Sequence, residues 1–84
     1  MPMTNSTHFL IENDSEVPLP IFVEPEGAMF VLQPQKHVVV KDDYDEAPVT
    51  VRASHDETGA LVLCIWPGDG DTCVEQDGKD VLMA

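Results

Sequence analysis

Residues 24–43, EPEGAMFVLQPQKHVVVKDD, are cut by Pro25, Gly27 and Pro34 into pieces too short to form helices. Proline fixes its own φ, removes a ladder donor and pushes the preceding residue toward the extended region, so Glu24 closes an extended run. Gly27 supplies a turn that can take φ > 0 without a Cβ clash. The apolar run from Ala28 to Leu32 then reads as a strand. Pro34, flanked by Gln33 and Gln35, suits position i+1 of a type I or II turn. The piece from His37 to Val40 carries three consecutive valines, which are stiff at χ1 and pack well on a pleated surface. Lys41, Asp42 and Asp43 read as a charged stop.

The same punctuation runs through the rest of the chain. Residues 8–12, HFLIE, put Phe9 and Ile11 on one face and His8, Leu10 and Glu12 on the other. Asn13, Asp14, Ser15 and Glu16 are turn formers. The segment Leu19–Val23 is a second strand, and Pro18 and Pro20 confine its beginning to a sheet edge. Residues 42–48, DDYDEAP, form the most acidic loop. Residues 49–53 alternate, with Val49 and Val51 expected inward and Thr50 and Arg52 outward. His55 to Gly59 reads as a hairpin loop with Gly59 near the left-handed region. Residues 60–66, ALVLCIW, show little polar alternation and are expected to form a central strand covered on both faces. Pro67-Gly68-Asp69-Gly70 is a tight turn and residues 72–76 a seventh strand. Asp77-Gly78 is a two-residue hairpin signal ahead of a short eighth strand over residues 79–83. Seven or eight short strands with turn signals roughly every 8–12 residues predict an all-β fold. The expected architecture is a small antiparallel β-sandwich, Ig-like or jelly-roll-like, with a small barrel as the alternative.

Eighty-four residues make one domain, expected to span residues 7–84 behind a frayed segment of residues 1–6. A domain of this size buries only about 60–65% of its unfolded surface, so its core is thin. Hydrophobic content of 43% is too high for a disordered chain of this charge. No apolar run approaches the ~18 residues of a membrane span. The opening MPMTNSTHFL has neither the basic nor the apolar region of a secretory signal, so the expected compartment is the cytoplasm. Sixteen Asp and Glu against four Lys and Arg give a net charge of -12. That charge opposes direct nucleic-acid binding, which needs cations to displace counterions, and opposes an anionic membrane surface.

The order of Glu24-Pro25-Glu26-Gly27, then Leu32-Gln33-Pro34, then Asp77-Gly78 resembles small bacterial all-β proteins of unassigned function. The resemblance covers about residues 10–81. It implies an all-β fold and carries over no catalytic residue.

Cys64 and Cys73 flank the turn at residues 67–70. If that turn is a four-residue hairpin loop, the two cysteines face each other with Cα atoms ~4.5 Å apart, within disulfide reach. A bridge closing so short a loop adds at most ~2–3 kcal/mol, and a reducing cytoplasm favours two free thiols instead. His8, His37 and His55 show no ligand spacing, although His8 and His37 can meet if the first and fourth strands are neighbours. Asp69-Gly70-Asp71 matches a fragment of a calcium loop without the remaining oxygen ligands. No nucleophile motif is present, and Cys64 sits mid-strand in an apolar run that disfavours a thiolate. No cofactor is expected.

Three functional classes remain. The first is a non-enzymatic protein-interaction module, binding another protein or itself, with Tyr44, Trp66, Asp42, Asp43, Asp45 and Glu46 as the candidate contact residues. Aromatic side chains dominate protein contacts, which makes Tyr44 the preferred contact residue, whereas Trp66, beside Pro67 at a strand end, reads first as a lid on the core. The second is an acidic decoy that occupies a basic, nucleic-acid-binding partner. It requires carboxylates aligned on one face. The third is a small metal-binding domain using Cys64, Cys73 and a histidine.

Overall fold

The computed structural model describes residues 5–81, which form eight strands and no helix. In chain order these are β1 (Asn5–Glu12), β2 (Leu19–Val23), β3 (Ala28–Leu32), β4 (His37–Tyr44), β5 (Thr50–His55), β6 (Leu61–Trp66), β7 (Asp71–Gln76) and β8 (Lys79–Asp80). They make two four-stranded sheets, β1-β4-β7-β8 and β3-β2-β6-β5. The sheets stay separate, each with two edges, so the fold is a sandwich and not a barrel. All pairings are antiparallel except β2 with β6, which is parallel.

The core lies between the sheets. Ile21, Val23, Leu32 and Ile65 from one sheet meet Val38, Val40 and Val74 from the other. Phe9, Ile11, Leu19, Phe30 and Leu63 pack around them. Each such side chain contributes about 1.5–3 kcal/mol on full burial. The alternation expected in β1 holds, with Phe9 and Ile11 turned inward and half-buried.

Several elements depart from the sequence expectation. β1 begins at Asn5, so Asn5 and Ser6 are paired to Tyr44 and Asp43 and are not frayed. Residues 1–4 and the end of the expected eighth strand lie outside the described residues. β4 does not stop at Lys41 but continues to Tyr44. It is flanked by β1 and β7, and the pleat aims Lys41 and Asp43 outward, so charge there does not end the strand. The expected alternation holds in direction, with Val49 packed on the core, Val51 opposite the core residue Ile65 and Arg52 opposite Cys64, but every residue of β5 is exposed, Val51 at 38%. β5 is the edge strand of its sheet, and the other sheet ends in β8, a strand of two residues. Similarly, β6 is an inner strand but is not covered on both faces, because Trp66 is 39% exposed.

Turn chemistry follows the sequence closely. Asp77 and Gly78 both take positive φ, 53° and 79°, as a two-residue type I′ hairpin requires. Lys36 N–H donates to the Gln33 carbonyl across Pro34-Gln35, with Gln35 at φ 64°. Gly59 takes φ 84° in the β5–β6 loop.

β2 is an inner strand, yet its first two residues have a neighbour on one side only. The parallel ladder covers Ile21, Phe22 and Val23 against Leu63, Cys64 and Ile65, and stops there. Glu24 N–H donates to the Ile65 carbonyl at 2.8 Å, so even-numbered positions of β2 present their nitrogens to β6. Position 20 is next in that series, and Pro20 has no N–H to give to the Leu61 carbonyl. The edge character expected of this proline pair is thus confined to a local parting of β2 and β6.

Candidate functional site

The acidic corner is built inward. Asp42, 1% exposed, accepts the Val49 N–H at 2.8 Å and the Thr72 hydroxyl at 2.7 Å. Asp69 accepts the backbone N–H groups of Asp45, Glu46 and Ala47 at 2.9, 2.9 and 3.0 Å. Those bonds, Asp45 first, hold its carboxyl below the usual 3.8. The two carboxylates clamp residues 45–49 between the sheets. Three acceptor positions of the Asp69 carboxylate are thus taken by backbone donors, which leaves it little to offer the calcium reading of Asp69-Gly70-Asp71. Asp43 is exposed on β4, and Asp45 and Glu46 are exposed in the turn that Asp69 holds. Tyr44 ends β4 half-buried.

The cysteines do not face each other. β6 already has β2 and β5 as neighbours, and β7 has β4 and β8, so residues 67–70 form a crossover between sheets and not a hairpin. Cys64 and Cys73 are free thiols on the outer faces of opposite sheets. Neither a bridge nor a metal site sharing both is possible in this fold. Cys73 sits beside Glu75 and Asp80, with Sγ 3.6 and 3.5 Å from their carboxylates. Burial, then these carboxylates, push its thiol up from 9.0 to about 11. It therefore holds about a hundredfold less thiolate at neutral pH than an ordinary cysteine. His8 and His37 do lie on neighbouring strands, but His8 pairs with Lys41 and His37 with Glu12. Four ladder positions separate them, roughly 13 Å.

The arrangement of carboxylates separates the two sheets. β2, β3, β5 and β6 contain no Asp or Glu. The strands of the other sheet carry Glu12, Asp42, Asp43, Asp71, Glu75 and Asp80, and every other acid of the described residues lies in a turn. On the outer face of β3-β2-β6-β5 the register aligns Met29, Phe22, Cys64 and Arg52 in one row. Beyond it Val31 pairs with Pro20 and Val62 with Ser54, and Trp66 lies beside Thr50. Met29, Val31 and Trp66 are exposed, and Phe22 is half-buried. Arg52 is the single charged side chain in the four strands.

Of the six candidate contact residues, only Trp66 belongs to this surface, and it lies on the outer face instead of closing the core. Phe22, Met29 and Val31, which share this surface with it, carry no local motif, and their signal in the sequence is the lack of acids in four apolar segments of a strongly acidic chain. Among the described residues no group of three His, Cys, Asp or Glu is placed to hold a metal ion. Compared with protein-family models, curated proteins and solved structures, the chain matches none.

Proposed function

We propose that this protein is a small, non-enzymatic, cytoplasmic interaction module that self-associates through the outer face of β3-β2-β6-β5. The observation that carries this reading is the exclusion of carboxylates from that sheet in a chain of net charge -12. Two like-charged copies repel wherever their acids come within about a Debye length, ~8 Å at physiological salt. Apposing the acid-free faces leaves the carboxylates at the rim and removes Met29, Val31, Phe22 and Trp66 from water. Exposed apolar patches rimmed by polar residues mark contact sites of this kind.

Four strands of five or six residues make a face of roughly 19 by 18 Å. Contact limited to that face is smaller than the ~800 Å² per partner of a lasting complex, so a weak, reversible association is expected. Sedimentation velocity over a concentration series tests it. The expected result is a monomer–dimer equilibrium that tightens from low salt to about 0.5 M and is lost in Met29→Glu. A monomer at every concentration and salt overturns the reading.

The acidic decoy is the second reading, and the outward carboxylates Asp43, Asp71, Glu75 and Asp80 on the other sheet support it. Lys41, ion-paired to Glu75 at 3.0 Å, interrupts that array. The salt dependence separates the two readings, because capture of a basic partner weakens as salt rises.

A further inference from the structure

The parting of β2 and β6 opens a groove of about 550 Å³ at one end of the sandwich. Val17, Pro18, Pro20, Ala60 and Leu61 form its apolar lining, and Glu12 and Asp14 stand at its rim. Val17 and Leu61 are 64% and 49% exposed, an unusual amount for aliphatic side chains that share one cavity. The wall of residues 13–17 is fixed. Asn13, 4% exposed, donates from Nδ2 to the carbonyls of Val17 and Leu32 at 2.8 and 2.9 Å. Its Oδ1 accepts the N–H and hydroxyl of Ser15.

The backbone at the groove is also turned toward an occupant. The Ala60 carbonyl accepts Asp56 N–H on the β5 side, and the Ile65 carbonyl accepts Glu24 N–H on the β2 side. Alternation along β6 therefore aims the Leu61 N–H and carbonyl at the position where Pro20 has no donor. No basic side chain lines the groove.

We propose that this groove binds an extended peptide segment in which an apolar residue is flanked by lysine or arginine. The segment's backbone pairs with Leu61 in the way a peptide adds to an incomplete sheet. Its apolar side chain rests on Val17, Pro18 and Leu61, and its cations reach Glu12 and Asp14. The groove meets the self-association face at Pro20, but Val17, Pro18, Ala60 and Leu61 are not among the contacts of that face, so the proposal does not rest on self-association.

The test uses the full ¹⁵N-labelled chain titrated with acetyl-Lys-Leu-Lys-Val-Lys-amide and, in parallel, with acetyl-Glu-Leu-Glu-Val-Glu-amide. Saturable amide shifts centred on Ser15, Val17, Ala60 and Leu61 are expected with the basic peptide alone. Val17→Glu and Leu61→Glu are each expected to weaken binding at least about tenfold, from loss of apolar contact. Both variants add negative charge, so a merely coulombic association would be unchanged or tighter in them. Lys79→Glu, on β8 and outside both the groove and the self-association face, is expected to bind like the parent chain. Shifts spread over the Asp43, Asp71 and Glu75 face, unweakened binding by both groove variants, equal binding of the acidic peptide, or no saturable shift at millimolar peptide would each overturn the proposal.

Discussion

A single amide side chain organises one end of the molecule. Asn13 uses both Nδ2 protons and both Oδ1 lone pairs, while its backbone N–H donates to Lys36 and its carbonyl accepts from Gln35. Its residue type predicts a turn, and a turn is what it makes. Its burial follows from the Leu32 carbonyl being in reach, which is a tertiary fact. Removing the donors leaves that carbonyl unsatisfied, so Asn13→Ala is expected to cost about 2–3 kcal/mol in urea denaturation. Asn13→Asp keeps the shape but sets a carboxylate against two carbonyls. It is expected to be destabilised at pH 7 and to recover partly at acid pH, where the protonated carboxyl can donate once. Equal loss at both pH values would show that the carboxylate charge set against the two carbonyls is not what destabilises the variant.

At the scale of elements, the crossover between β6 and β7 decides the topology. Pro67-Gly68-Asp69-Gly70 carries the local chemistry of a hairpin turn, and nothing in those four residues distinguishes a return within one sheet from a step to the other. The glycines report the difference. A Cβ on Gly68 would collide with the Ala47 carbonyl, and one on Gly70 with the Asp43 carbonyl. Both glycines therefore serve close approach of the crossover to the residue 43–48 segment, which Asp69 then grips. Gly70→Ala is expected to lower stability by about 3 kcal/mol, read from the denaturation midpoint. A neutral result would mean that the crossover can draw back from β4 without loss.

For the whole molecule, charge and fold are arranged against each other. Net charge of -12 destabilises any compact state through self-repulsion. Yet Asp56, held by the Thr58 hydroxyl and the Ala60 and Thr58 N–H groups, Asp69, held by three N–H groups, and Glu75, held by Lys41, all lie below their ordinary values. A carboxyl lowered in the folded state stabilises it fully above the ordinary value, here 3.8 for the aspartates and 4.5 for Glu75. That contribution disappears as pH falls through the folded value. The Tm of the Met29→Glu chain is therefore expected to rise with salt at pH 7, to rise less with salt at pH 4, and to fall steeply below pH 4. A Tm flat in salt at pH 7 would count against self-repulsion as the opposing force. Proline and glycine spacing, valine runs and the Asp77-Gly78 pair determined an all-β chain of seven or eight short strands and most strand limits, with sandwich and barrel both open, because those preferences act over two to four neighbouring residues. Which strands share a sheet was decided only in three dimensions, by burial of the Ile21, Leu32, Val38, Val40 and Ile65 side chains between the layers. That choice set Cys64 and Cys73 on opposite faces, buried Asp42, and gathered four acid-free strands into one sheet, because sheet partners are chosen by contacts between residues remote in the chain.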